Sequence, residues 1–279
     1  MGSSRVLALV FVVTSQVFGM DAREIVDALT TNGYVASERL HELMHCQDLV
    51  PKLIELIKEP GRLKEMGSQM KDRLDFRSAL QTWHLEVENK KDSVDLDFIK
   101  LGEETELKGL PDAVRALAQR IIKYLDIGRY YAKVLLVSDL QYAERNTEVV
   151  SCWHQDKSAQ AIDLTFRNQT HSYSAEYNYL FFLELDRQGF GSSELKLGFA
   201  PEKNLVKSTF NSGGNFICYE EIEKVTDIVR IKGRSGAGYF IDQDFIKDGN
   251  VVVHQSPELK KRIDNSRRYK VIMRIRKID

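Results

Sequence analysis

The amino-acid sequence predicts an α+β fold, in which a mainly helical region is followed by a barrel or sandwich of short strands. Between residues 21 and 123, apolar residues recur at spacings of three and four, the period of an amphipathic helix. From residue 132 onward, short β-rich runs are separated by glycine-containing turns. These patterns divide the chain into residues 1–19, a helical region 20–131 and a β-rich core 132–279. A chain of 279 residues with 43% hydrophobic content can bury such a core.

Residues 1–19 have the composition of a secretory signal peptide, because Arg5 precedes an apolar stretch over residues 6–13 and a polar exit follows. That stretch is too short to span a bilayer. The three cysteines, Cys46, Cys152 and Cys218, cannot all pair within one chain and favour a reducing compartment instead. The sequence is therefore compatible with a cytoplasmic location and with the secretory pathway.

Two helices can be placed in the first region from the spacing of their apolar residues. They contain Leu49, Leu53, Leu56 and Ile57 in one case, and Val114, Leu117, Ile121 and Leu125 in the other. Pro111 suits the first turn of the second helix, where a missing N–H costs nothing. We expect the charged stretch 86–97 to be a solvated connector.

Seven strands are predicted in the second region, because β-branched and aromatic residues are enriched there between turn residues. They cover residues 132–140, 177–185, 215–219, 226–231, 238–242, 251–254 and 269–275. Glycines between these runs supply the positive φ angles that tight turns require. This number of short strands indicates a barrel or a sandwich.

The charge balance argues against partners that need a strong electrostatic field. With 40 basic and 41 acidic residues, the chain has a formal net charge of -1 at pH 7. No global field therefore favours nucleic acid or an anionic membrane surface. We expect a small-molecule substrate, no nucleic-acid partner and no stable membrane insertion, and we predict no oligomeric state.

His154 and Asp156 form an H-x-D pair, and His254 ends a later apolar run. Side chains two positions apart in a strand emerge on the same face, so one strand can present an imidazole and a carboxylate together. A barrel that pairs this strand with that of His254 would complete a set of two histidines and one carboxylate. Such a set leaves three positions open on an octahedral metal, which is typical of non-haem Fe(II) enzymes. The ordinary structural alternative is a histidine at a strand end beside a surface aspartate.

The last predicted strand has two different faces. Tyr269, Val271, Met273 and Ile275 alternate with Arg268, Lys270, Ile272 and Arg274. We expect the apolar face to pack on the helices and the basic face to look inward, toward an anionic ligand. A guanidinium holds a carboxylate bidentately, so an arginine here suits a dicarboxylate cosubstrate. The alternative is a charged edge strand that discourages aggregation.

The string Trp153-His154-Gln155-Asp156 and the tail from His254 to Arg274 resemble the phytanoyl-CoA dioxygenase-like branch of the 2-oxoglutarate/Fe(II) oxygenases. In that family an arginine with a second arginine six positions later recurs, and Arg268 with Arg274 has this spacing, whereas Arg267 does not. A one-residue change of register would exchange the two candidates. The resemblance covers residues 132–276. It implies a double-stranded β-helix, a jelly-roll or cupin-like barrel, with the amino-terminal helical region packed on it.

The same resemblance implies the cofactors and the reaction. Fe(II) would be bound by the catalytic residues His154, Asp156 and His254, 2-oxoglutarate by Arg268, and O2 would be the oxidant. The implied activity is that of a dioxygenase that hydroxylates a C–H bond of a small organic or lipid-like substrate while 2-oxoglutarate is decarboxylated to succinate. An aspartate at position 156, in place of glycine or alanine, favours hydroxylation over halogenation.

Two alternatives remain from the residues themselves. His41-Glu42-Leu43-Met44-His45 spells H-E-x-x-H, which on a helix places two imidazoles on one face and is typical of zinc hydrolases. Such short patterns also arise by chance on solvated helix faces, where His41 and His45 would have no ligand role. The second alternative is a non-catalytic barrel that binds a small ligand or a partner.

Overall fold

The computed structural model describes residues 21–59, 64–66, 76–99, 109–141, 153–157, 162–166, 169–173, 176–187, 194–207, 215–217, 224–255 and 267–278. The helices are α1 (Ala22–Asn32), α2 (Leu40–Leu43), α3 (Val50–Lys58) and α4 (Asp112–Ile122). The strands are β1 (Tyr34–Ser37), β2 (Lys64–Met66), β3 (Phe76–Asn89), β4 (Val94–Ile99), β5 (Gly128–Gln141), β6 (Trp153–Gln155), β7 (Ile162–Phe166), β8 (Gln169–Tyr173), β9 (Tyr179–Arg187), β10 (Glu194–Pro201), β11 (Leu205–Lys207), β12 (Asn215–Ile217), β13 (Thr226–Lys232), β14 (Gly238–Asp242), β15 (Ile246–Lys247), β16 (Asn250–Gln255) and β17 (Arg267–Ile278).

The first helix shows how local sequence sets an element's limits. The Asp21 carboxylate accepts hydrogen bonds from the backbone N–H groups of Arg23 at 2.7 Å and Glu24 at 3.1 Å, and the Glu24 side chain accepts from the Asp21 N–H at 2.8 Å. This reciprocal capping box satisfies donors that the first turn leaves unpaired. Gly33 ends the helix with φ of 76°, and a Cβ there would lie 2.4 Å from the Phe245 ring. Only glycine fits this position.

Eight strands form a two-layered barrel with the strand order of a jelly roll. One layer has the order β5-β17-β9-β14 and the other β6-β16-β10-β13, and all of these pairs are antiparallel. Counted along the chain, these are strands 1-8-3-6 and 2-7-4-5 of the barrel, the pattern of a double-stranded β-helix. The predicted fold class, α+β with a jelly-roll barrel, is confirmed. The first layer, here called the large sheet, continues through β3, β2 and β4 on one side and β1 on the other.

The helices pack on the outer face of the large sheet. Their buried residues, among them Leu29, Leu53 and Leu117, share one core cluster with Val271 and Met273 of β17. A second cluster fills the barrel between the sheets and contains Leu180, Phe182, Leu195, Leu197, Tyr239, Ile241 and Val252. The two faces of β17 therefore serve different layers, as the alternation in the sequence predicts.

The region of residues 20–131 contains more strand than the sequence analysis predicted. It includes β1 to β4, and the prediction that residues 86–97 form a solvated connector is wrong, because β3 and β4 pair there as a hairpin. The physical reason is visible in β3, where Trp83, Leu85 and Val87 are buried and alternate with polar residues such as Glu86 and Glu88. The period of two was obscured by the high local charge.

Three sequence features relate to the location of the protein: the predicted signal peptide, the cysteines and the apolarity of the helices. The predicted signal peptide, residues 1–19, lies outside the described residues, as do Cys152 and Cys218. Cys46 is a buried free cysteine, and burial raises the pKa of its thiol to about 12, so that it stays protonated. Among the described residues, no helix combines the length and apolarity needed to cross a membrane.

Asn89, at the end of β3, ties the β3–β4 hairpin to the end of α4. Its buried side-chain amide donates to the carbonyls of Ile122 at 3.2 Å, Leu125 at 2.8 Å and Asp126 at 3.0 Å. We expect Asn89→Ala to lower the free energy of unfolding by about 1–3 kcal/mol, because carbonyls at a helix end lose their donor in a buried place. Urea denaturation measures this, and Glu88→Ala, at the exposed neighbour, should change stability by less than about 1 kcal/mol. Equal effects of the two substitutions would contradict the assignment.

Candidate metal centre in the barrel

Three side chains converge between the two sheets. His154 lies in β6, Asp156 follows that strand, and His254 lies in β16, directly opposite His154 in the antiparallel pairing. The ligand atoms of His154, Asp156 and His254 all lie within 4.8 Å of one another. The parity argument from the sequence therefore describes the geometry, because the H-x-D pair emerges on one face and the neighbouring strand supplies the second imidazole.

The protonation states of His254 and Asp156 suit metal binding. The rings of His154 and His254 are 4.1 Å apart between centroids, and His254 Nε2 lies 3.8 Å from Asp156 Oδ2. Burial lowers the pKa of His254 to about 3, with a further contribution from His154, so the imidazole is neutral at pH 7. Burial opposes ionisation of Asp156, but Arg274, His254 and His154 together outweigh burial, and the pKa of this carboxyl lies well below its usual range. Neutral imidazoles beside a carboxylate are the forms that ligate a metal.

Arg274 holds the other oxygen of the aspartate. Its Nη2 atom lies 3.1 Å from Asp156 Oδ1, whereas Oδ2 faces His254. The carboxylate is thus fixed in orientation by a cation on β17 while one oxygen remains directed at the histidines. The sequence analysis used Arg274 only for its spacing from Arg268 and assigned it no contact; its place on the inward-facing side of β17 was the available signal.

Arg268 lies on the inner face of the large sheet, where the basic face of β17 was expected, but it has a counter-ion that the sequence analysis missed. Its Nε donates to Glu184 Oε1 at 2.7 Å and Oε2 at 3.0 Å, and Nη2 makes a further contact with Oε1. Glu184 is fully buried and Arg268 is 3% exposed. The guanidinium also lies over the Phe182 ring, 5.5 Å from its centroid. Glu184 therefore occupies the Nε–Nη2 edge of the guanidinium.

A cavity of about 60 Å³ joins the triad to this basic end of the barrel. It is lined by His154, Asp156, Leu180, Phe182, Leu195, Tyr239, His254, Arg268, Lys270 and Ile272. Its walls are apolar in the middle and carry ionisable groups at both ends. A larger cavity of about 580 Å³ lies beside α3 and the start of α4. That cavity is on the outer side of the large sheet and its lining contains no histidine, so we assign no chemistry to it.

The alternative zinc site at His41 and His45 is not supported. The helix that begins at Leu40 ends at Leu43, and His45 has φ of 51°, outside the helical region. The two imidazoles therefore do not share a helix face, which the zinc motif requires. Among the described residues, the only group of three or more histidine, cysteine, aspartate and glutamate side chains close enough to hold a metal is His154, Asp156 and His254.

Comparison with known proteins gives a structural likeness only. No family model and no curated protein matches this chain. A bsmA homologue from Methylobium petroleophilum PM1 is 11% identical, with a TM-score of 0.53 over 93% of this chain and 94% of that one. IDO from Bacillus thuringiensis is 9% identical, with a TM-score of 0.50 over 95% of this chain and 100% of that one. At these identities, the likenesses show that the fold extends over nearly the whole chain.

We expect Arg274→Met to weaken Co(II) binding at the triad about 10-fold to 100-fold, the usual effect of removing the group that orients a metal ligand. Removing a cation beside the site favours the metal electrostatically, but losing the fixed orientation of Asp156 outweighs this gain. Absorption titration with Co(II) measures the affinity. The matched control is Arg276→Met, two positions further along the same face of β17. Equal Co(II) affinities for the two variants would contradict the role given to Arg274.

Proposed function

We propose that this protein is an Fe(II)- and 2-oxoglutarate-dependent oxygenase that hydroxylates a C–H bond of a small organic substrate. The observation that carries the proposal is the convergence of His154, Asp156 and His254 within 4.8 Å inside a jelly-roll barrel. Two neutral imidazoles and one carboxylate are the ligand set of non-haem iron sites with three open positions. A structural zinc site would need a fourth protein ligand.

The cavity beside the triad supports a dicarboxylate cosubstrate. Arg268 and Lys270 line it on the β17 side, and Glu184 lies opposite Lys270 on the adjacent strand β9. Arg268 and Lys270 thus bring two cationic side chains to this end of the cavity, and a cation there suits a carboxylate ligand. We assign Arg268 as the group that receives it, either by sharing its guanidinium with Glu184 or by exchanging partners.

When bound, iron and 2-oxoglutarate supply the oxidising chemistry: 2-oxoglutarate is decarboxylated to succinate, one atom of O2 enters succinate and the other enters the substrate as hydroxyl. The chain's own residues would position the metal and keep water away from the reacting groups. The rings of His154 and His254 and the ionised Asp156 would hold the metal, and Arg274 fixes the carboxylate. The apolar walls of the cavity, with Phe182 and Leu195 among them, limit the water near the reacting groups.

We expect His154→Ala and Asp156→Ala each to abolish Fe(II)-dependent conversion of 2-oxoglutarate to succinate, because two ligands do not hold the ion in a defined geometry. Succinate is quantified with and without added Fe(II), and circular dichroism checks that the fold is kept. His41→Ala, outside the triad, is the matched histidine control and should retain turnover. Succinate production that persists in the triad variants would contradict the assignment. If the protein binds no metal, it would instead be a barrel that binds a ligand without catalysis.

Substitutions at Arg268 and at Glu184 should change the Kd of 2-oxoglutarate in opposite directions. Arg268→Lys keeps the charge but loses the bidentate fork, so the Kd of 2-oxoglutarate should rise about 10-fold. Glu184→Gln keeps a hydrogen-bond acceptor for Arg268 and removes one negative charge from the cavity, so the Kd should fall severalfold. Calorimetric titration of the Mn(II)-loaded protein measures both. A shift of both variants in the same direction would mean that the pair acts only on the fold.

A further inference from the structure

Lys133 lies on the inner face of the large sheet, directly opposite Arg274, whose guanidinium contacts Asp156. The register pairs Lys133 of β5 with Arg274 of β17, and pairs His84 of β3 with Lys133. Residues directly opposite each other on antiparallel strands share a face, and Arg274 reaches Asp156 on that face. Neighbouring strands are about 5 Å apart, so the backbone of Lys133 is one strand spacing, and that of His84 two, from that of Arg274.

The Lys133 ammonium is half-buried, and no carboxylate among the described residues pairs with it. Burial lowers its pKa, and the positive charge of Arg274 lowers it further. The same ammonium adds to the burial that holds the pKa of His84 at about 3, so this neighbouring ring is neutral and supplies no negative charge. A partly desolvated cation for which the described residues supply no counter-ion is a candidate position for an anionic ligand.

The aromatic side chains next to Lys133 are buried and held by a hydrogen bond and by ring stacking. Tyr131, two positions before it on the same face of β5, shares a 2.5 Å hydrogen bond with His84 Nδ1. The Tyr131 ring stacks on Tyr177, with 6.4 Å between centroids and 18° between planes. His84, Tyr131 and Tyr177 are each less than 5% exposed. A buried wall of polar aromatic side chains therefore runs from the edge of the barrel toward the metal centre.

This position is separate from the proposed cosubstrate end of the cavity. Lys270 lies four residues before Arg274 on β17, a displacement of about 13 Å along the strand. Arg268 lies further still, and Lys133 does not line the cavity that contains both. The two cationic positions thus lie in different directions from the triad, one along β17 and one across the sheet toward β5 and β3.

We propose that Lys133 binds an anionic group of the substrate, a carboxylate or a phosphate, and so determines that the substrate is a small acid placed beside Asp156. This inference rests on the proposed function, because it assigns the substrate class of the same metal centre. The Lys133 ammonium supplies the charge, and the wall formed by His84, Tyr131 and Tyr177 limits where the rest of the molecule can lie. The anion would supply the negative charge that the described residues do not place beside Lys133.

The test uses the full chain loaded with Mn(II) and saturated with 2-oxoglutarate, so that the cosubstrate end is occupied. The probes are butyrate and isopropyl phosphate, each compared with butyramide, which has nearly the shape of butyrate but no charge. Paramagnetic relaxation of the probe protons by Mn(II) reports binding near the triad without any turnover. We expect at least one anion to be relaxed at least fivefold more strongly than the amide, and the stronger anion identifies the group.

The variants separate a binding role from a structural one. Lys133→Met should reduce the relaxation of the anion to the level of the amide, and Lys133→Arg should keep most of it. Lys247→Met, at an exposed lysine in β15, is the matched control and should behave as wild type. Two results would overturn the inference while leaving the proposed function intact. They are equal relaxation of the anions and the amide in wild type, and an unchanged preference for the anion over the amide in Lys133→Met. If wild type relaxes no probe more than His154→Ala does, Mn(II) is not held at the triad, and the inference falls together with the proposed function.

Discussion

The candidate metal centre depends on one strand pairing, that of β6 with β16. Strand β6 is only three residues long, and a slip of one residue would turn His154 and Asp156 away from the barrel. The residue between them prevents this, because the buried Gln155 amide donates to the carbonyls of Val252 at 2.9 Å and Gln243 at 3.3 Å. The strand is thus fixed from its outer face while its inner face is left for chemistry. Trp153 packs in the apolar cluster on the same outer face. Each residue of the W-H-Q-D string therefore has a structural or ligand role.

The charges inside the barrel form a second constraint. Lys133, Lys270, Arg268 and Arg274 lie on the inner face of the large sheet, where Arg268 pairs with Glu184 and Arg274 pairs with Asp156 of the facing sheet. Buried charges are stable only when compensated, and a divalent metal adds to the positive side. Lys133 has no counter-ion among the described residues, so an anionic ligand beside it would meet this requirement. The proposed cosubstrate and the inferred acidic substrate would both bring negative charge to the cations of this interior.

The sequence predicted those features that follow from local periodicity. Most strands of the core and the two faces of β17 could be read from alternation, although β10 was not predicted, and the H-x-D parity placed two triad members on one face. Three further features were not predicted. The β3–β4 hairpin was hidden by its charges, and the H-E-x-x-H string suggested a helix that ends at Leu43. Glu184 was visible as a single carboxylate inside an apolar run, but its partner Arg268 is 84 residues away, and no local pattern specifies such a pairing. The chemical roles of the site residues remain predictions.

Strand β17 explains why the fold and the candidate site are not independent. Its residues Tyr269, Val271, Met273 and Ile275 are buried against the helices, and each such side chain contributes about 1.5–3 kcal/mol. The alternate residues Arg268, Lys270 and Arg274 face the barrel. A shift of β17 by one residue would place these charges in the apolar layer, at a cost that exceeds the stability of an ordinary domain. The apolar face therefore fixes the register that brings Arg274 to Asp156 and Lys133 beside it, and hydrophobic packing on one side of a sheet determines the electrostatics on the other.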